Sequence, residues 1–222
     1  TPGKFVKEYL PLVDDPNIAI KLGRINVSDF NNFTLFSFRK TAEDVVSGVN
    51  AKPHVASKPM QLIYKWVADT YVGQRIRCAI EKLLGRPLDW AITCDTNGSL
   101  YESADPLVTL WSPIFHRNKT HILQEYFIPA NGANFEEWTK EVGEYFKTYK
   151  FKNVSLLNAT VRFVRKDDTT FLNYATEDMF AVVLYYRLDK LHDGDSELSQ
   201  INQHLTGITL NRGGTFYLPY RH

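Results

Sequence analysis

Val154-Ser155-Leu156-Leu157-Asn158-Ala159-Thr160-Val161-Arg162-Phe163-Val164 decides how the chain folds. Leu157, Ala159, Val161 and Phe163 alternate with Asn158, Thr160, Arg162 and Val164. Successive side chains of a strand point to opposite faces, so one face is expected to pack on helices. The other, carrying amide, hydroxyl and guanidinium, is expected to line something wet or occupied. Outward from this strand, period-2 and period-3.6 patterns succeed each other. They predict a strand over 120–128, a helix over 135–149, a strand over 154–165, a strand over 179–187, a helix over 195–210 and a strand over 215–218. That order, β-α-β-β-α-β, is the split βαβ or ferredoxin-like unit.

Punctuation supports these spans. Pro129 ends the first strand, Asn134 is the expected N-cap of the helix that follows, and Gly213-Gly214 closes the last helix. Upstream, residues 4–13 read as an opening segment ended by Pro11 and the Asp14-Asp15-Pro16 turn. Strands over 18–26 and 33–39 are joined by turn chemistry at residues 29–32, which predicts an antiparallel hairpin. Residues 41–59 read as a loop. A long helix is expected over 60–84, where Leu62, Trp66, Val67, Tyr71, Ile76, Ala79, Ile80 and Leu83 recur at three- and four-residue spacing. Residues 88–119 read as an irregular packed connector. The expected class is α+β: an antiparallel sheet with helices on one face, built as a ferredoxin-like unit (120–222) with an N-terminal extension (1–119) in a single domain.

Bulk properties remove several function classes. The chain has 222 residues, 44% hydrophobic and 14% aromatic, enough to bury a sizeable core. A formal charge of +1 leaves no electrostatic footprint for nucleic acid. No apolar run approaches the roughly 18–20 residues that span a bilayer, and a cytoplasmic location is the expectation. Two cysteines, Cys78 and Cys94, are too few for a disulfide scaffold or a four-cysteine zinc site. Histidines 54, 116, 121, 192, 204 and 222 are scattered without ligand or triad spacing, so no metal is expected. Six Asn-x-Ser/Thr triplets read as chance matches, several lying in predicted strands. No phosphate-cradling glycine loop and no nucleophile elbow is present.

What remains is the polar sheet face. Arg162 keeps its charge and offers five donors, so in a half-buried sheet it needs an anion or several acceptors. Asn158 and Thr160 share its face. On the first strand Gln124 and Tyr126 point one way, and Leu123, Glu125 and Phe127 the other. Either orientation leaves a polar group seeking partners, and Glu125 is the awkward one. On the last strand Thr215, Tyr217 and Pro219 alternate with Phe216, Leu218 and Tyr220. A solvated face with a surface ion pair, worth only about 0–1 kcal/mol, is the plain alternative.

Four blocks carry a resemblance: Leu123-Gln124-Glu125-Tyr126-Phe127-Ile128-Pro129, Asn158-Ala159-Thr160-Val161-Arg162-Phe163-Val164, Glu177-Asp178-Met179-Phe180-Ala181-Val182-Val183-Leu184, and Gly213-Gly214-Thr215-Phe216-Tyr217-Leu218-Pro219-Tyr220-Arg221-His222. In this order the chain resembles FAD-linked oxidases of the vanillyl-alcohol oxidase type, nearest the bacterial branch akin to sugar-lactone and alditol oxidases. The likeness extends upstream to Leu22-Gly23-Arg24 and Ser37-Phe38-Arg39. It implies a cap, or substrate, domain whose sheet faces the flavin ring, with the FAD-binding domain absent from this chain. The absent initiator Met and the stop at His222 are then expected of a fragment, inactive alone and unable to hold FAD tightly. The resemblance implies a catalytic role for Arg162, substrate contacts by Gln124, Tyr126, Asn158, Thr160 and Tyr217, and a cofactor contact by His222. Alditol-oxidase relatives carry a Glu-x-Arg pair on the equivalent strand; Thr160-Val161-Arg162 keeps the Arg and loses the Glu, which puts a polyol substrate in doubt. The expected partners are the FAD-binding domain and a small hydroxylated substrate. A stand-alone ferredoxin-like module that binds a ligand or dimerises, without redox chemistry, is the other reading.

Overall fold

The computed structural model describes residues 1–40, 119–171 and 173–218, together with Gly73, Arg75, Ile76 and Ala79. The chain divides into two compact units, Thr1–Ser37 with Asn118–His222, and Phe38–Arg117. In the second unit Gly73, Arg75, Ile76 and Ala79 are helical, inside the span read as the long helix. The rest of that helix, the loop 41–59, the connector as far as residue 118 and both cysteines lie outside the described residues.

The first unit is a six-stranded sheet in the order β2-β1-β4-β5-β3-β6, with helices packed on one face. Its strands are β1 (Ile18–Ile25), β2 (Phe33–Arg39), β3 (Lys119–Pro129), β4 (Val154–Val164), β5 (Met179–Asp189) and β6 (Thr215–Phe216). The helices are α1 (Pro2–Tyr9), α2 (Gly132–Thr148) and α3 (Gly194–Asn211), with a 3-10 turn at Leu10–Leu12. β5 lies between β3 and β4 and runs antiparallel to both, while β6 pairs antiparallel with the other edge of β3. This is the split βαβ arrangement expected from the element order, in an α+β fold. The hairpin strand β1 pairs antiparallel with the free edge of β4 and so extends the sheet.

Register fixes which residues are inside. Phe163–Phe180–Ile128 forms one row across the sheet, and Val161–Val182–Tyr126–Phe216 the next. These rows enter the main core with Phe135, Trp138 and Val142 of α2 and Leu198, Ile201, Leu205 and Ile208 of α3. Trp138 donates its indole N–H to Thr209 Oγ1 at 2.9 Å, tying α2 to α3 and satisfying a buried donor. Helix α1, read in the sequence only as an opening segment, is a true helix with Pro2 in its first turn, where the missing N–H costs nothing. It delivers Phe5 onto Phe33, ring centroids 4.9 Å apart, and only a glycine at position 23 makes room: a Cβ there would lie 2.4 Å from the Phe5 ring.

Three local readings change. Helix α2 starts earlier than expected because Asn131, not Asn134, is the cap, its Oδ1 accepting from the Asn134 N–H at 2.8 Å. A bulge between Leu156 and Asn158 inserts Leu157 into β4, so Leu156 rather than Leu157 joins the core cluster, while alternation holds from Asn158 onward. β6 ends at Phe216, two residues short of the expected strand; Leu218 is exposed. The stop of α3 follows the expectation closely. Gly213 adopts φ +72°, the Gly213 N–H bonds to the Leu210 carbonyl at 3.0 Å and the Gly214 N–H to that of Thr209 at 2.9 Å, a Schellman motif.

Candidate functional site

The face of the sheet opposite the main core carries no helix among the described residues. Three rows build its centre. Arg24 (β1), Thr160 (β4), Val183 (β5) and Glu125 (β3) stand in one register row. Arg162, Ala181, Phe127 and Thr215 form the next, and Asn158, Tyr185 and Leu123 lie on the other side of the first. Thr160, Val183 and Ala181 therefore make a low floor, with Arg162 and Glu125 rising from it two strands apart. At about 4.8 Å between strands and about 3.4 Å per residue, their backbones stand about 12 Å apart diagonally.

The two charges attract without touching. Burial pushes the Glu125 carboxyl above its ordinary value, and the Arg162 guanidinium draws it part of the way back. Neither side chain makes an ion pair within 4.0 Å among the described residues. Arg162 is exposed and Glu125 half-buried. Arg24 is anchored differently, its guanidinium lying 5.4 Å from the centroid of the Phe36 ring.

One end of this face is walled by the 165–178 connection, which folds back over it. Tyr174 stacks on Phe127 with centroids 4.6 Å apart and meets Tyr217 edge-on. Ala175, Met179 and Ala181 complete a second small cluster with Phe127, against which Val164 and Tyr217 pack. Polar ties hold the fold-back: Thr215 Oγ1 donates to the Tyr174 carbonyl at 2.5 Å, and the Asp167 N–H to the Ala175 carbonyl at 3.0 Å. Hydrogen bonds from Thr170 and Thr169 gather on the Asp167 carboxylate and lower its pKa. Phe171, at the tip, is 98% exposed.

Toward the opposite end the His121 and Tyr185 rings pack at 5.2 Å, and burial lowers the His121 pKa. Arg187 Nη2 donates to Ser155 Oγ at 3.4 Å. Asp189 is held down to about 2, first by the hydrogen bond from Lys119 and then by the Leu191 N–H, with His192 also contributing. Asn158 is 2% exposed and its Oδ1 has no hydrogen-bond partner among the described residues. No group of three or more His, Cys, Asp or Glu side chains is placed to hold a metal among the described residues.

The residues singled out from the sequence separate into two groups. Arg162, Thr160, Asn158 and Tyr217 share the helix-free face, as their alternation predicts. Gln124 and Tyr126 do not join them, because Tyr126 stands in the core row with Val182 and Gln124 in the row with Leu184 and Ala159. Tyr126 is fully buried, its hydroxyl donating to Asn202 Oδ1 at 3.4 Å, and burial raises its pKa. A substrate contact by either is thereby corrected: the helices cover both. His222 lies outside the described residues. Glu125 takes the place on β3 that Gln124 and Tyr126 vacate. Its signal in the sequence is its polarity beside Leu123 and Phe127, which no exposed apolar strand face requires.

Comparison of the chain with family models, with curated proteins and with solved structures gave no match.

Proposed function

We propose that this chain is the substrate-side cap domain of an FAD-dependent oxidoreductase that oxidises a small hydroxylated substrate, as the resemblance of its four sequence blocks implies. The observation that carries the proposal is the sheet face that bears no helix among the described residues, where Arg162 makes no ion pair with any of them and stands in register beside Thr160, Ala181 and Val183. Such a face suits the edge of a flat ring system. Small side chains allow close approach, Tyr217 supplies an apolar flank, and Arg162 supplies fixed positive charge. A flavin, when bound, accepts a hydride from a substrate C–H bond. Arg162 would stabilise the negative charge that builds up on the ring system as it is reduced, an electrostatic role that needs no proton transfer. Thr160 and Asn158 would orient the substrate by hydrogen bonding, and the 165–178 fold-back would exclude water from one side.

Self-association through this face fits the arrangement less well. It would desolvate Glu125 and Arg162, which make no mutual ion pair to offset the cost. No described helix is long and apolar enough to cross a membrane.

The test is the flavin content of the protein made from its whole coding sequence. Bound FAD in the purified protein, with this chain alone binding it weakly, is the expected result. A complete protein with neither flavin absorbance nor flavin affinity would overturn the proposal.

A further inference from the structure

Tyr186 of β5 carries a hydroxyl that the helix-covered core leaves unanswered. The residue stands in the register row Ile122–Tyr186–Leu156, beneath the helices, and is fully buried. Its hydroxyl has no hydrogen-bond partner among the described residues. Other polar side chains of the same core are satisfied: the Trp138 indole donates to Thr209, the Tyr126 hydroxyl to Asn202, and the Thr139 hydroxyl to the Phe135 carbonyl. A phenylalanine would fill the same space without the oxygen, so a lone hydroxyl here costs folding energy and adds nothing to the packing.

The surroundings of Tyr186 are polar. Tyr126 stands two rows along on the neighbouring strand β3, and the buried Gln124 occupies the row between them. Tyr145 comes from α2, half-buried and packed on the core. Burial first, and then the phenols of Tyr126 and Tyr145, push the Tyr186 pKa well above the ordinary phenol value. Three phenols from three elements therefore stand within electrostatic reach of one another, and Tyr186 donates to neither of the other two. From α3, Asn202 accepts from Tyr126, and Thr206 also hydrogen-bonds to the Tyr126 hydroxyl.

The ligand suited to such a place is small, neutral and both donor and acceptor. A phenol oxygen that donates its own hydrogen still has lone pairs to accept another. A buried water commonly makes about three hydrogen bonds to polar groups that have no other partner. An ion fits poorly, because the one carboxylate nearby, Glu197, already accepts from the Lys152 and Asn153 N–H groups at 2.9 and 2.8 Å.

We propose that the core between α2, α3 and the sheet binds one internal water molecule, which accepts the Tyr186 proton and donates its hydrogens to the hydroxyl oxygens of Tyr126 and Tyr145. The water joins β5, β3 and α2 at a single node. That gives the tyrosine at position 186 a role in seating the helix layer on the sheet.

The experiment counts long-lived internal waters by oxygen-17 relaxation dispersion in this chain and in Tyr186→Phe. The variant should hold one fewer and should melt about 2–4 °C lower, the loss of one net hydrogen bond in a chain of this size. The parent alone supplies a second reading that survives a poorly folding variant: the Tyr186 hydroxyl proton should show a direct nuclear Overhauser effect to a water of long residence. An unchanged water count, a variant that melts at or above the parent, or a Tyr186 hydroxyl with no such effect would each overturn the inference.

Discussion

Glu125 and Arg162 stand on one face of the sheet two strands apart, joined through the register pairs Glu125–Val183–Thr160 and Phe127–Ala181–Arg162. The Arg162 charge draws on the Glu125 carboxyl while β5 keeps the two backbones apart. The consequence for pH is specific. Burial raises the Glu125 pKa and Arg162 lowers it, so Arg162→Ala should move the Glu125 titration further upward. Among the described residues, the groups facing Glu125 across the sheet and its β6 edge are Arg162, Arg24, Tyr185 and Tyr217, and Arg162 supplies the pull that lowers its pKa. An NMR titration of the Glu125 carboxyl in both proteins reads this directly; an unchanged midpoint would show that the two charges do not communicate.

The same shift has a sign for stability. A carboxyl whose folded pKa lies above its unfolded value favours folding when protonated, and that advantage disappears as pH rises through the folded pKa. Glu125→Gln should therefore gain stability relative to the parent as pH rises from acid to neutral. Thermal melting of the two proteins across that range is the check, and a parent that becomes relatively more stable toward neutral pH would contradict it.

Tyr126 offers a contrast on the opposite face. Its hydroxyl bonds to Asn202 beneath the helices, so Tyr126→Phe should lose about 1 kcal/mol of stability, the net worth of a typical buried hydrogen bond. The Glu125 carboxyl titration should be unaffected, because the sheet backbone separates the two faces. Denaturant unfolding and the NMR titration together distinguish these effects.

Much of this fold is legible in the alternation of residues 158–164 and in the order of elements around it, because a strand with one covered face must place apolar groups at every second position. The face of β3 is less legible. Gln124 and Tyr126 on one side and Glu125 on the other make both sets partly polar, and periodicity separates two sets without saying which is inside. Pairing decides it: Tyr126 falls opposite Val182, already in the core row of Val161. Tyr126 can lie inside because its hydroxyl finds Asn202 on α3, a partner that no spacing in the sequence reveals. Helix α1 is obscured by its brevity and by Pro11 close behind it, and its stability derives from Phe5 packing over Gly23 rather than from local propensity. The bulge at Leu157 leaves no local signature, since Leu156 and Leu157 are equally apolar.

Two glycines test the packing in opposite directions. Gly214 allows β6 to approach β3, for a Cβ there would lie 2.3 Å from the Phe127 carbonyl oxygen and 2.7 Å from Thr209 Cγ2. Gly214→Ala should cost about 2–4 kcal/mol, through overpacking and lost β6 pairing. At Gly207, within α3, an added methyl group would meet nothing within 4 Å, so Gly207→Ala should stabilise by about 0.5–1 kcal/mol. Melting curves of the two variants should shift in opposite senses.

The proposed role of Arg162 at the edge of a flavin is tested most directly by the flavin reduction potential of the complete protein with and without that guanidinium. Arg162→Ala should lower the potential, because the reduced and more negative flavin loses its positive neighbour, while the melting temperature stays within a degree or so, as for an ordinary surface substitution. An unchanged potential, or a complete protein that carries no flavin to measure, would contradict it.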